Sequence, residues 1–238
     1  MPNDADQSKT IVGFWLSDLG VKSAYLVDDQ SSYATGLNDE VEGLLLDAGF
    51  GRRDINRASF SQEESDFSSV ATNIIAANPD VVFFPNQISS QAGGLITELR
   101  AQGYQGVYFM PDGGFSLEWV GIAGAAAEGA YVTFFAPDPN LVASMAPYND
   151  YYRANIGEEF GAFGGAAAFA TYVGLEAIRS CAAADLLSRD CVVGQLETMQ
   201  LDSTPLGVSL SFGEGNQAVN SQFFLFQVKD GQFTLVER

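Results

Sequence analysis

The amino-acid sequence predicts an α/β fold in which a parallel β-sheet carries helices on both faces. Two observations lead to this prediction. Short apolar runs with strand character alternate with helix-like segments at a nearly even spacing over residues 23–135, and such alternation is typical of βαβ units. The runs VVFF and VYFM are apolar at consecutive positions, as expected for strands that helices cover on both sides.

The predicted elements follow one another in a regular order. Strands are expected at residues 23–27, 55–60, 80–84, 106–110 and 129–135, with helices between them at 37–49, 68–78, 92–103 and 116–124. Serine and aspartate stand near the helix starts and glycine near the helix ends, as helix caps require. Each connection therefore runs from strand to helix to strand, which makes the sheet parallel.

The last part of the chain has a different pattern. Residues 141–200 carry helix patterns without matching strands, and FGGAAAFATYVGLEAIRSC predicts an alanine-rich, buried helix. The chain then continues to FFLFQV, KDG and QFTLVE, which predict a β-hairpin with Gly231 in its turn. Helices this apolar need a sheet to cover. We therefore expect them to belong to another lobe, whose sheet lies outside this chain.

Composition argues against several classes of partner. The 238 residues include 30 acidic and 11 basic side chains, for a formal net charge of −19. Such a surface repels nucleic-acid phosphates and anionic lipids, so we expect neither nucleic acid nor a membrane surface as a partner. The chain contains no histidine, the commonest general base and a frequent zinc ligand. We expect no metal and no cofactor.

Enzyme motifs are missing as well. There is no GxGxxG motif after a predicted strand, no GxxxxGK phosphate loop and no GxSxG nucleophile motif. The adjacent acids Asp28–Asp29 and Glu63–Glu64 remain as candidates for acid–base or metal chemistry, but loop acids in so acidic a chain are typically solvated. The sequence argues against an enzyme, although a mechanism that uses only carboxylates stays open.

The two cysteines, Cys181 and Cys191, have nine residues between them. We favour a disulfide that joins two helices, which would add about 2–4 kcal/mol of stability in the chain-entropy model. A disulfide would also indicate an oxidising compartment. The alternative is a pair of unrelated buried thiols, since cysteine is a common buried residue.

Polar stretches follow three of the predicted strands: DDQSSYATG, PNQISSQ and PDGGF. The carboxyl ends of parallel strands share one edge of the sheet, where ligands bind in α/β proteins. The side chains expected on that shared rim are Tyr33, Asn86, Gln87 and Asp112. They offer a ring, amides and a carboxylate without a cation, which suits a small ligand bearing an ammonium. The alternatives are a simple turn for Asp112 and core packing for Tyr33.

A series of longer stretches occurs in a specific order along nearly the whole chain. These are VKSAYLVDDQSSYATGL, ANPDVVFFPNQIS, LITELRAQG, FMPDGG, IAGAAAEGAYVT and YNDYYRANIGEE. The series resembles the substrate-binding proteins of branched-chain amino-acid ABC transporters, which are type I periplasmic binding proteins of the Leu/Ile/Val group. The order of the stretches is more specific than any single one.

The resemblance implies two α/β lobes that close on a small amino-acid-like ligand, a related amide or an acid, and deliver it to a membrane permease. The resemblance covers only the later portion of such proteins. Residues 7–135 and 222–238 would form the second lobe, and residues 137–221 would return to the first lobe, whose sheet is absent. It further implies a fragment of a longer secreted protein, periplasmic or extracellular, whose leader is not in this chain.

The resemblance also implies roles for single residues. Tyr33 matches a tyrosine that contacts the ligand, and Asp112 matches a glutamate that pairs with the ligand's α-ammonium. Gln87, or its neighbour Asn86, stands where the family has an aromatic ring, which leaves open a ligand more polar than an aliphatic amino acid. The alternative function is a ligand-sensing domain of a receptor or regulator, which has the same fold.

Overall fold

The computed structural model describes residues 3–140, 142–157, 160–161, 163–219 and 222–237. The chain divides into two compact units. The first, here called the sheet unit, comprises Asn3–Phe134 and Phe223–Arg238. The second, called the helical unit, comprises Phe135–Gln222. Whether the helical unit returns to a first lobe outside this chain stays a prediction.

The strands in the described part of the chain are β1 (Ala24–Asp28), β2 (Ile55–Ser59), β3 (Val81–Phe83), β4 (Val107–Met110), β5 (Tyr131–Phe134), β6 (Gln200–Leu201), β7 (Leu210–Ser211), β8 (Phe224–Lys229) and β9 (Gln232–Leu235). The α-helices are α1 (Asp4–Phe14), α2 (Ser32–Asp47), α3 (Ser68–Ala77), α4 (Ser89–Ala101), α5 (Leu117–Ala123), α6 (Ala146–Ile156), α7 (Gly164–Ala183) and α8 (Arg189–Glu197). A short 3₁₀ turn at Asp112–Gly114 follows β4.

The sheet unit contains one sheet with the strand order β2-β1-β3-β4-β5-β8-β9. Strands β1 to β5 run parallel to one another, while β8 pairs antiparallel with β5 and β9 pairs antiparallel with β8. All residues of β1 and β3 are buried, as strands covered on both faces should be. The predicted α/β class with a parallel sheet is confirmed, and the strand order changes direction between β1 and β3.

The predicted C-terminal hairpin is also confirmed. Strands β8 and β9 pair with Lys229 opposite Gln232. Asp230 and Gly231 connect them with φ angles of 52° and 71°. Two consecutive positive φ values are what a two-residue hairpin turn requires, and glycine adopts them at little cost.

The sequence patterns did not predict helix α1, which supplies much of the core beside the sheet. Ile11 of α1 and Trp15, which directly follows the last residue of α1, are fully buried. The Trp15 ring lies 5.4 Å from Phe83 and 5.6 Å from Phe109, both edge-on. Edge-to-face contacts of this kind add to the free energy gained from burying the rings. Helix α1 is therefore fixed against the sheet.

Helix α2 begins five residues before the predicted start at residue 37. The Ser31 side chain caps it by accepting a hydrogen bond from the Ala34 N–H at 3.1 Å. Such a cap satisfies one of the N–H groups that a helix start leaves unpaired. Tyr33 consequently stands in the first turn of a helix, which orients its side chain more tightly than a loop would.

In the helical unit, α7 and α8 pack together and a disulfide between Cys181 and Cys191 joins them. The prediction that α7 is buried is wrong for much of its surface. Leu175 is 45% exposed and Ile178 is 42% exposed. Within the described residues only part of α7 is covered, and these apolar side chains are left exposed.

None of the helices in the described residues combines the length and the apolarity that a membrane crossing needs.

Candidate ligand-binding site

Three loops leave the carboxyl ends of parallel strands at one edge of the sheet. They follow β1, β3 and β4. Because the strand order reverses between β1 and β3, the loops after these two strands lead away from each other and leave a crevice. Ligands of open α/β sheets bind at such a position.

Tyr33 and Asp112 come together at this edge. The Tyr33 hydroxyl donates a hydrogen bond to Asp112 Oδ1 at 2.8 Å. The same oxygen of Tyr33 accepts a hydrogen bond from the Gly113 N–H at 3.2 Å. Tyr33 therefore ties the start of α2 to the turn that carries Asp112. Burial, followed by the negative charge of Asp112 and the hydrogen bond to it, raises the pKa of Tyr33 well above its ordinary value.

Gln7 also contacts Asp112, although no sequence pattern pointed to it. Its side-chain amide nitrogen donates to Asp112 Oδ1 at 2.9 Å and to Thr133 Oγ1 at 3.0 Å. Gln7 is 1% exposed, and Thr133 is fully buried on β5. Asp112 is thus held from two sides, by Gln7 of α1 and by Tyr33 of α2.

The second oxygen of Asp112 stays available. Within the described residues no hydrogen bond reaches Oδ2, and no lysine or arginine pairs with this carboxylate. Although Oδ2 has no hydrogen bond within this part of the chain, it is not a buried atom. A molecule from solvent can therefore reach it. The geometry leaves one acceptor for a ligand.

A second acid strengthens the negative potential at this point. Burial, the charge of Asp112 and the charge of Glu40 together raise the pKa of Asp4, in the first turn of α1. Like charges oppose one another's ionisation when no cation lies between them. A positively charged ligand group would therefore be attracted here.

Gln87 lies beside Tyr33 and the turn after β4. A Cβ atom built on Gly113 would lie 2.9 Å from Gln87 Cγ and 3.1 Å from the Tyr33 hydroxyl. Only a residue without a side chain lets these groups approach so closely. Gln87 is exposed, and its amide makes no hydrogen bond within the described residues. Gln87 thus offers a donor and an acceptor next to Asp112.

Asn86, the fourth predicted site residue, has its side chain directed into the protein. It is fully buried. Its amide nitrogen donates to Asp29 Oδ2 at 3.1 Å and to Gln91 Oε1 at 3.0 Å, while its Oδ1 accepts from the Ile88 N–H at 2.7 Å. The protein itself satisfies this side chain, which holds the loop that presents Gln87.

The expectation that Asp28 and Asp29 are solvated is wrong. They are 4% and 2% exposed. Asp29 accepts hydrogen bonds from the Ser31 N–H and hydroxyl through Oδ1, and from Gln62 and Asn86 through Oδ2. Donors from three loops thus compensate the loss of water around the carboxylate. Glu63 and Glu64 are exposed.

Asp28 has a similar structural role at the end of β1. Its Oδ1 accepts from the Gln30 N–H at 3.1 Å and from the Ser59 hydroxyl at 2.5 Å. Arg57 lies 3.9 Å from its other oxygen. No group of three or more acidic or cysteine side chains in the described residues is arranged to hold a metal ion.

A cavity of about 450 Å³ lies at the opposite edge of the sheet, where the strands begin. Its lining includes Val21, Asp80, Tyr104 and Val107. The acid in it, Asp80, already accepts hydrogen bonds from the N–H groups of Lys22 and Ser23 at 2.8 Å and 3.0 Å. This cavity is separate from Tyr33 and Asp112, and its carboxylate serves the fold.

The amino-acid sequence is similar to those of proteins whose family is known. The family model described as "Periplasmic binding protein" matches residues 1–232. An "Amino acid binding protein" of Pseudomonas aeruginosa is 27% identical over 152 residues, which are 63% of this chain and 40% of that protein. "Leu/Ile/Val-binding protein homolog 1" of Brucella melitensis is 32% identical over 136 residues, which are 56% of this chain and 35% of that protein. The chain spans less than half the length of these relatives.

Solved structures share the fold over nearly the whole chain. The leucine binding protein LivK from Thermotoga maritima matches with a TM-score of 0.84 and 21% identity, covering 98% of this chain and 65% of that one. The substrate binding protein LivJ from Streptococcus pneumoniae, solved with isoleucine, matches with a TM-score of 0.78 and 20% identity, with the same coverage. At these identities the likeness establishes the fold.

Proposed function

The chain belongs to the periplasmic binding protein family, and we propose that it is the ligand-binding part of a solute-binding protein of an ABC transporter. The ligand is a small amino-acid-like molecule that the protein binds without chemical change and delivers to a membrane permease. This role places the protein in the periplasm or outside the cell. The names of its relatives, which refer to amino acids, support the ligand class.

Asp112 is the proposed anchor for the ligand's ammonium. A hydrogen bond between an ammonium and a carboxylate is short and roughly twice as strong as one between neutral groups. The free Oδ2 of Asp112 is available for this bond, since Gln7 and Tyr33 both contact Oδ1. The ammonium would also reduce the repulsion between Asp112 and Asp4.

The remaining rim residues have supporting roles. Tyr33 positions the carboxylate and presents its ring edge to the ligand. Gln87 donates to or accepts from the part of the ligand beyond the ammonium, because its amide is exposed and unpaired within the described residues. Asn86 keeps the Gln87 loop in place through Asp29 and Gln91.

One observation carries the proposal: a half-buried carboxylate at the ligand-binding edge of the sheet has no cationic partner among the described residues. A carboxylate that is partly removed from water gains from a partner of opposite charge. The two neutral donors on Oδ1 fix the direction of the carboxylate without neutralising its charge. A bound ammonium completes the arrangement.

The test is isothermal titration calorimetry of the full-length protein with a panel of proteinogenic L-amino acids. We expect at least one of them to bind, and Asp112→Asn to weaken that binding about tenfold to a hundredfold because a charge-assisted bond is lost. Asp47→Asn is the matched control, since Asp47 is an exposed acid on α2. The control should bind like the wild type.

If Asp112→Asn binds the amino acid as tightly as the wild type does, Asp112 is not the anchor. Absence of binding for every amine in the panel would remove the proposed function itself.

A further inference from the structure

We propose that Gln7 makes the site selective for an ammonium over a guanidinium or amidinium. This inference rests on the proposed function, in which Asp112 anchors a ligand cation. The question is which kind of cation the Asp112 carboxylate can bind. Gln7, which sets this selectivity, belongs to α1 and lies outside the three rim loops.

The two oxygens of Asp112 are used differently. A carboxylate oxygen has two lone-pair positions for hydrogen bonds. On Oδ1 the Tyr33 hydroxyl at 2.8 Å and the Gln7 amide at 2.9 Å occupy both positions. Oδ2 has no hydrogen bond within the described residues. Asp112 therefore presents a single oxygen to a ligand.

A guanidinium or amidinium needs both oxygens for its best contact. Its planar fork pairs with a carboxylate through two parallel N–H···O bonds, one to each oxygen. An ammonium is a compact donor whose N–H bonds rotate, so it can pair with one oxygen alone. With Oδ1 saturated, the fork loses its second bond while the ammonium loses nothing.

Gln7 cannot easily leave Oδ1 to make room. Its side chain is 1% exposed, and the same amide nitrogen also donates to buried Thr133. Because a carboxylate only accepts hydrogen bonds, the amide must turn its nitrogen toward Asp112. If a ligand displaced Gln7, a buried N–H would lose its acceptor, which is unfavourable.

Tyr33 is held almost as firmly. Its hydroxyl accepts from the Gly113 N–H while it donates to Asp112. Displacing the hydroxyl from Oδ1 would disturb both bonds. Of the two residues, Gln7 is the better one to vary, since it lies deeper and Tyr33 borders the ligand directly.

The experiment compares two probes on the full-length protein by calorimetry. The first is the proteinogenic amino acid that binds most tightly in the panel above, and the second is its Nα-amidino derivative. In the wild type we expect the amino acid to bind about tenfold or more tightly than the derivative, because one charged hydrogen bond is worth roughly that factor. In Gln7→Met, which keeps the length and removes the donor, this ratio should shrink about tenfold.

Further variants separate selectivity from folding. A general structural defect weakens the binding of both probes equally, so the ratio of their two affinities stays unchanged. Gln105→Met, at an exposed position, is the control, and its ratio should equal that of the wild type. If Gln7→Met does not fold, Gln7→Asn withdraws the same amide by one methylene, and the ratio should again shrink.

Two results would overturn the inference while leaving the proposed function intact. One is an amidino derivative that binds the wild type as tightly as the amino acid. The other is a ratio that does not change in the folded Gln7 variants. Failure of all amino acids to bind the wild type would instead overturn the proposed function, together with this inference.

Discussion

Tyr33 and Asp112 lie 79 residues apart in the chain and are joined by a hydrogen bond of 2.8 Å between the phenol and Oδ1. The bond links the first turn of α2 to the turn after β4, so two loops at the carboxyl edge of the sheet act as one surface. It also directs the carboxylate so that its other oxygen is left for a ligand.

The first prediction concerns the Tyr33 hydroxyl. Tyr33→Phe removes the donor to Asp112 and the acceptor for the Gly113 N–H. We expect ligand affinity to fall about tenfold and the free energy of unfolding to fall about 1–2 kcal/mol. Calorimetry and urea denaturation measure the two changes. Tyr148→Phe, at an exposed position of the helical unit, is the control. An effect there as large as at Tyr33 would show that the loss does not depend on the bond to Asp112.

The second prediction concerns the buried amide of Asn86. Asn86→Leu leaves acceptors on Asp29 and Gln91 without their donor. Unpaired buried polar groups are unfavourable, so we expect the free energy of unfolding to fall about 2–4 kcal/mol. Urea denaturation measures it, with exposed Gln105→Leu as the control. A variant as stable as the wild type would show that this network does not hold the Gln87 loop.

The third prediction uses the absence of a side chain at Gly113. A methyl group there would lie 2.9 Å from Gln87 Cγ and 3.1 Å from both the Asn86 carbonyl and the Tyr33 hydroxyl. Since these groups must move apart, we expect Gly113→Ala to weaken ligand binding about tenfold. Gly121→Ala is the matched control, because a methyl group there meets nothing within 4 Å. Unchanged binding in Gly113→Ala would exclude these side chains from the site.

The fourth prediction concerns pH and Asp4. Burial and the charges of Asp112 and Glu40 raise the pKa of Asp4 above 3.8. The folded protein therefore holds this proton more tightly than the unfolded chain, so ionisation of Asp4 lowers stability as pH rises from 3.8 through the raised value. Relative to Asp4→Asn, the wild type should lose stability over that window.

Urea denaturation of both proteins between about pH 3 and about pH 7 measures this difference. Asp47→Asn again serves as the matched control for loss of one acidic charge. A stability difference between the wild type and Asp4→Asn that stays constant with pH, or grows in favour of the wild type, would contradict the raised pKa of Asp4.

The fifth prediction concerns the disulfide between α7 and α8. Replacing Cys181 and Cys191 together by serine frees a loop whose ends are 10 residues apart. In the chain-entropy model this costs about 2–3 kcal/mol of stability. Urea denaturation should show the loss, and adding a reductant should destabilise the wild type but not the double variant. A wild type insensitive to reductant would speak against a stabilising bond.

The convergence of the rim residues followed from simple rules. Parallel strands end at one edge, so residues after β1, β3 and β4 were expected to meet there, and Tyr33, Gln87 and Asp112 do lie close together. Their contact with a ligand stays a proposal. The predicted start of α2 was late because the apolar periodicity begins after the cap, and the cap at Ser31 sets the true start.

Other features depend on contacts that local patterns do not contain. Gln7 was missed because α1 was not predicted, although the Asn3 cap and acidic first turn were visible signals. Its partner Thr133 is 126 residues away, so no local rule connects them. Asp29 was expected in solvent on composition alone, whereas neutral donors from distant loops compensate its burial.

The most direct measurement is a crystal structure of the full-length protein with a bound amino acid. We predict that the ligand's ammonium nitrogen lies about 2.7–2.9 Å from Asp112 Oδ2, with Tyr33 and Gln7 still bonded to Oδ1. An ammonium more than about 4 Å from Asp112, beyond the reach of an ion pair, would contradict it.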